Sequence, residues 1–477
     1  MEPFSYDMVE NRLVRWSHFS LVGICVLAGC GKMAPTPRPT NEYVWLTRYD
    51  VKTLDPAAVQ DWTTGTVLSY LYIPIGKSSS IEPNQYKKFT LKLNKQSFSN
   101  GDPVTAEDVR FTLERCLFPE NQSSVGNQFA GQIVGSKEFT EGKSEHLKGV
   151  TITDDGTLTI ELDTPDQAYA EKLKNNALGI VNHKVVSLKS PIKDYKSGYG
   201  AGNWEMESVA PGREWKLKNR TTNEGLKFRF SGDSANRRSL FDKGEADYAM
   251  FAAHEASVVK GNPNLDKGGP TTLVYLQFNP KTKPELTQEL RYHIASLIHI
   301  NVDFPKLLND MVKPATNFLE LSGTEPLPSS GVSGFKFHEK AHFEITYAEI
   351  GMQNPSVEAI VTALRQAGLD IQGRAMVSGA MLEKNAKGEI PILFTGWQPD
   401  FDGPLNTIPM LFHSKSSENH SDYKNADVDK LIEAAQRGED TKANIQKAYA
   451  IIERDPPGAP LYIQRDLVLK RKEPPAP

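Results

Sequence analysis

Residues 89–109 carry the reading of the fold: Phe89-Thr90-Leu91-Lys92-Leu93, then Phe98-Ser99-Asn100-Gly101, then Thr105-Ala106-Glu107-Asp108-Val109. Apolar side chains at Phe89, Leu91 and Leu93 alternate with polar ones, which predicts a strand with one buried face. Asn100-Gly101 is a turn signal. Thr105 followed three residues later by Asp108 can cap a helix, and Ala106, Val109, Leu113 and Leu117 then recur at helical spacing. Working outward, Asp154-Asp155-Gly156 is a turn before a second alternating run at Leu158, Ile160 and Leu162. Thr271 to Phe278 and Pro391 to Phe394 are further strand-rich stretches. Helices are predicted at Leu290, Ile294, Leu297 and Ile298, at Val357, Ile360, Val361 and Leu364 with Gly368 as the stop, and at Val428, Leu431, Ile432 and Ala435. Strands and helices mixed at irregular spacing imply an α/β chain with more than one lobe.

The 477 residues suit about one to three domains. With 39% hydrophobic and 24% charged residues the composition is that of a globular protein, and a net charge of −4 gives no reason to expect nucleic acid as partner. Cys25, Cys30 and Cys116 are the three cysteines, at spacings that permit neither a disulfide framework nor a paired metal motif. His254, His293, His299, His413 and His420 are scattered, and lone histidines are usually structural. No nucleophile elbow, P-loop, HExxH or dinucleotide fingerprint occurs. Gly198-Tyr199-Gly200-Ala201-Gly202 lacks the strand-to-helix context that phosphate binding needs. Asp400 and Asp402 could be named as a carboxylate pair, but two carboxylates on one tight loop are more often turn chemistry.

At the start of the chain, Arg12 and Arg15 precede an apolar run from Phe19 to Ala28, too short to span a bilayer but long enough for a signal-peptide core. The run ends in Leu27-Ala28-Gly29-Cys30, which resembles a bacterial lipobox. The resemblance implies cleavage before Cys30 and a diacylglycerol on its sulfur, and Gly31 to Asn41 then reads as a tether. Met8 is an alternative start, and an N-terminal helix ending in an incidental cysteine is the alternative reading.

Seven landmarks in one order resemble the peptide- and nickel-binding receptors of ABC importers, the bacterial family 5 extracellular solute-binding proteins. They are Thr53-Leu54-Asp55-Pro56; the 89–109 segment with Arg115 on its helix; Gly202-Asn203-Trp204 leading to Pro211-Gly212; Gly244-Glu245-Ala246-Asp247; Phe278-Asn279 with Leu290-Arg291; Gly396-Trp397-Gln398-Pro399-Asp400-Phe401-Asp402-Gly403-Pro404; and Asn425 to Asp429 with Ala459-Pro460-Leu461-Tyr462. The resemblance implies a two-lobed α/β fold of the periplasmic-binding-protein type II kind, with an extra subdomain inserted in lobe 1. The expected organisation is a signal peptide at 1–29 and a tether at 30–42. Lobe 1 covers 43–250, with its inserted subdomain at about 76–185. Lobe 2 covers 251–445, and 446–477 returns to lobe 1.

The implied function is that of a peptide-binding lipoprotein receptor for an ABC-type oligopeptide importer, closing its lobes around the ligand without chemistry, cofactor or metal. Its implied partners are short peptides, the importer's permease and ATPase subunits, and a membrane held through the lipid anchor on Cys30. The protein would be a monomer on the periplasmic face of the envelope, with no nucleic acid bound. Asp400 stands where peptide-binding members carry the carboxylate for the peptide ammonium, and Trp397 would wall the peptide. The turn reading of Asp400 stays open, as does Asp402 as its alternative. The region Tyr347-Ala348-Glu349-Ile350 holds no basic residue where dipeptide-binding members place an Arg. Arg374, Lys384 and Lys387, basic residues between there and Asp400, read as solvated surface. A stretch shorter than the family pattern between Leu68 and Phe89 suggests a trimmed first lobe. A metal chelate, haem or oligosaccharide ligand, or a sensor or surface antigen on the same scaffold, are the alternatives.

Overall fold

The computed structural model describes residues 41–59, 61–325, 341–349 and 354–477. The expected signal peptide, Cys30 and the tether as far as residue 40 lie outside the described residues, as does Ile350.

The chain opens with strand β1 (Glu42–Thr47), inside the end of the span expected for the tether. Asp55 then caps a single 3-10 turn, and Asp61 caps helix α1 (Trp62–Leu71), accepting from Thr64 N at 3.0 Å and Thr64 Oγ1 at 2.7 Å. The inserted subdomain follows. Strands β2 (Ser79–Asn84) and β3 (Lys88–Leu93) form a hairpin. Helix α2 (Ala106–Cys116) starts at the predicted cap, where Asp108 Oδ2 accepts from Thr105 N and Thr105 Oγ1, each at 2.8 Å. A second hairpin, β4 (Val150–Asp154) and β5 (Thr157–Glu161), completes an antiparallel sheet in the order β2-β3-β5-β4. Phe89, Leu91, Leu158 and Ile160 on its inner face bury against Val109 and Leu113 of α2. The two periodicities read from the sequence thus meet as one core.

Lobe 1 resumes with β6 (Trp204–Ala210), β7 (Glu214–Asn219) and β8 (Gly225–Phe230), then α3 (Ser234–Asp242) and β9 (Tyr248–Phe251). The long strand β10 (Leu265–Phe278) enters lobe 2. There α4 (Gln288–Asn301), β11 (Val312–Pro314), β12 (Phe343–Ala348), α5 (Pro355–Gln366), β13 (Ile371–Met376), α6 (Ser378–Ala386) and β14 (Ile392–Trp397) follow. Gly368, with φ +99°, ends α5 as the sequence predicts. A helical hairpin, α7 (Ala426–Gln436) and α8 (Thr441–Arg454), leads to the last strand, β15 (Gly458–Lys470).

The main sheet runs β13-β12-β14-β10-β15-β9-β1-β8-β7-β6, with β11 on β15. β10 and β15 are antiparallel and pass together through its middle. Thr272–Gln277 pairs with Gly458–Gln464 beside β14, and Leu265–Lys267 pairs with Leu467–Leu469, where β15 also meets β9. Register slips fall between Lys267 and Thr272, at Gly268-Gly269-Pro270, and again between Val274 and Tyr275. Proline cannot donate to a ladder, and glycine tolerates the bend a bulge imposes. α8 packs on α7 before the chain enters β15, which pairs first with β10 beside β14 and then with β9.

Candidate binding site

Two of the sequence landmarks, sixty residues apart, meet in lobe 1. Asp55 is fully buried and receives Arg115 in a two-pronged pair, Nη1 to Oδ1 at 2.8 Å and Nη2 to Oδ2 at 2.7 Å. Asp55 also accepts from Ala57 N and Ile192 N, while Arg115 donates to the carbonyls of Ser187 and Ser190. Every polar atom of the pair is engaged, so its role is to hold the strand-to-subdomain junction. Arg291 is likewise structural. It is buried, donates to the Leu286 and Pro456 carbonyls, and pairs with Asp455. Cys116 is buried, and burial pushes its thiol up to about 12.

The loop after β14 projects Gln398, Pro399 and Asp400 into a cavity of about 280 Å³, whose opposite wall is α1 with Val59, Asp61, Trp62, Gly65 and Thr66. Asn175 and Asn176, from the end of the inserted subdomain, and Val125 complete it. Asp400 is half-buried, and its one hydrogen-bond partner among the described residues is Asn175 Nδ2, which donates to its Oδ1 and its carbonyl at 3.4 Å each. Among the described residues no basic side chain makes a salt bridge with it. Burial, with the charge of Glu418 adding to it, pushes the Asp400 carboxyl up to about 6; Asn175 and Lys172 oppose the shift.

Lys172 is not available to neutralise Asp400. It is buried against Asp166 at 2.5 Å, with Phe129 and Phe401 rings each 5.6 Å from its ammonium. Beyond it lies a larger cavity of about 720 Å³ between the subdomain and lobe 2, walled by Gln128, Asp166, Met410, His413 and Glu418 among others. The subdomain touches lobe 2 again at the α7–α8 turn, where Gln167 N donates to Gln436 O at 2.8 Å and Thr441 Oγ1 donates to Gln167 Oε1 at 2.6 Å.

Of the two residues expected at the ligand, Asp400 lines the cavity and Trp397 does not. Trp397 is the last residue of β14, opposite Leu273, and its ring packs in the core with Tyr275 and Phe401. Strand alternation turns it inward, and only after it does the chain swing out to the cavity. The indole at the cavity is Trp62 from the other lobe, 37% exposed. Sequence reading also missed Asn175 and Asp61; the helix-cap pattern at Asp61 marks a helix start and says nothing of the cavity. Asp402 is exposed and lies outside the cavity. Arg374 pairs with Glu344 and Lys387 with Glu383 on the surface. No group of three or more His, Cys, Asp or Glu among the described residues could hold a metal ion.

The model of the family 5 bacterial extracellular solute-binding proteins matches residues 77–329. The dipeptide-binding protein DppE of Bacillus subtilis is 22% identical over 83% of this chain and 79% of its own length. Among solved structures, the murein tripeptide binding protein MppA of Escherichia coli superposes with a TM-score of 0.75 at 18% identity, covering 90% of this chain and 94% of that one. NikZ of Campylobacter jejuni, in complex with Ni(L-His), gives 0.71 at 16% identity, covering 91% and 95%. These likenesses show a type II periplasmic-binding-protein fold, in agreement with the lobes and crossing strands described above. With the family model matching more than half of its 477 residues, the chain belongs to the family 5 bacterial extracellular solute-binding proteins, and is a binding protein rather than an enzyme.

Proposed function

We propose that this chain is the receptor of an ABC-type importer for short peptides, holding the peptide's α-ammonium at Asp400. The carrying observation is the state of that carboxylate: half-buried, pushed up to about 6, and met only by a long amide contact. Such a group costs stability while it is empty and charged. An ammonium brought into the cleft supplies the missing counter-charge and favours the closed lobes. The contacts Asn175–Asp400 and Gln167–Thr441 join the subdomain to lobe 2, so closure and ligand enclosure are one event. That relatives named as binding dipeptides and a murein tripeptide share the fold supports the reading. Anchoring through a lipid on Cys30 belongs to the same proposal, since two acyl chains hold a protein stably at a membrane.

The test uses the chain from residue 31 onward, weighed by native mass spectrometry for co-purified ligand and then titrated calorimetrically with peptides of graded length. Peptides with a free ammonium should bind, their N-acetylated forms should not, and Asp400→Ala should weaken binding by about a hundredfold, the loss of a charge-assisted contact in a closed cleft. Equal affinity for acetylated peptides would end the proposal. For the anchor, Cys30→Ser should release the full chain from membranes and abolish fatty-acid labelling.

A further inference from the structure

We infer that the receptor selects peptides whose first residue is basic, with that residue's side-chain cation received by Asp61 and Trp62 while its α-ammonium meets Asp400. This rests on the proposed peptide-receptor reading and adds the side-chain class that the same cavity accepts. The roughly 280 Å³ cavity draws its walls from lobe 1, lobe 2 and the inserted subdomain. Its described lining contains two carboxylates, Asp61 and Asp400, three amides, and no Lys, Arg or His. Lys172, the buried cation whose charge acts on Asp400, is held at 2.5 Å by Asp166. A ligand bearing one ammonium would leave one of the two carboxylates without a counter-charge in the closed cavity.

Asp61 has capacity left for a ligand. As the cap of α1 its Oδ1 accepts from Thr64 N and its Oδ2 from Thr64 Oγ1, which leaves one lone-pair direction on each oxygen. Trp62 follows it directly. Its indole is 37% exposed, tilted 55° from Trp45 at 6.0 Å, and lines the same cavity. A carboxylate beside an open indole face suits a cation by both charge and ring quadrupole. Val59, Val125 and Pro399 supply apolar wall for the methylene stem of a lysine or arginine.

Asparagine caps a helix as well as aspartate does. Asp61→Asn therefore removes the charge and keeps the cap. The probes are Lys-Ala-Ala, norleucine-Ala-Ala and Ala-Ala-Ala, titrated calorimetrically into the chain from residue 31. The lysine peptide should bind at least about tenfold tighter than the norleucine peptide. Asp61→Asn should erase that advantage, costing the lysine peptide at least about tenfold more affinity than the norleucine peptide, with the melting temperature unchanged. Equal binding of lysine and norleucine peptides to the unaltered protein would overturn the inference, as would an Asp61→Asn variant that weakens all three alike. In either case, peptide binding that still depends on Asp400 would leave the receptor reading intact. If none of the three binds, both fall.

Discussion

Asp55 and Asp400 are both carboxylates drawn out of water on loops that carry a proline neighbour, yet they are built to opposite ends. Asp55 has no exposed surface and is met by a guanidinium and two backbone N–H groups, all within 3.1 Å. Asp400 is only half-buried, on a cavity wall, with one amide at 3.4 Å. Beyond the difference in depth, the two are separated by whether the protein itself supplies the counter-charge: it does for Asp55 and does not for Asp400.

The largest effect that could break this contrast is Arg115→Leu. Leaving Asp55 buried without its guanidinium should cost about 3–5 kcal/mol in denaturant unfolding, a large share of the roughly 5–15 kcal/mol typical of a folded protein. A cost under about 1 kcal/mol would mean that the junction does not depend on the pair. Next, Asp400→Asn should act in the reverse direction on the empty protein. It should raise unfolding free energy at pH 7.5 by up to about 3 kcal/mol, the worth of moving the carboxyl from 3.8 to about 6. A variant less stable than the parent would show that Asp400 is already satisfied from within.

The third prediction concerns pH. The folded Asp400 keeps its proton to about 6, and the unfolded one releases it near 3.8. The folded state thus binds more protons between those values, and this group's contribution to stability falls as pH rises through the window. Peptide affinity should move oppositely, rising with pH up to and just past 6 as the carboxylate ionises. Calorimetry from pH 5 to 8 on parent and Asp400→Asn isolates the term, which should vanish in the variant. The smallest effect is expected at the subdomain contact. Thr441→Val removes the 2.6 Å bond to Gln167 and should weaken peptide binding two- to fivefold, about 1 kcal/mol, with little change in melting.

The same contrast marks what the sequence could disclose. The Thr105–Asp108 cap, the alternating strands at 89–93 and about 158–162 and the stop at Gly368 are local, set by residues a few positions apart, and all are found where the pattern places them. Asp55 and Arg115 were both visible as landmarks. Their pairing was not, because the chain path alone brings residues sixty apart together. Asp400 was legible through resemblance, but its surroundings were not. Trp62, Asn175 and Asp61 come from two other parts of the fold, and nothing in their local sequence marks them as facing it. Trp397 lies away from that cavity for a related reason: neighbours along a strand end point to opposite faces, so a residue close in sequence to Asp400 turns into the core.

The bulge at Gly268-Gly269-Pro270 has a mechanical consequence. β10 and β15 keep paired ladders on either side of it, so bending stiffness is high in both halves of the sheet and low across a few residues between them. The ladder is already broken there, and a rotation at that point need sever few further backbone hydrogen bonds. On the proposed receptor reading, the elastic resistance to closing the lobes would be correspondingly small, and the position of equilibrium would rest with the ligand that fills the cavity.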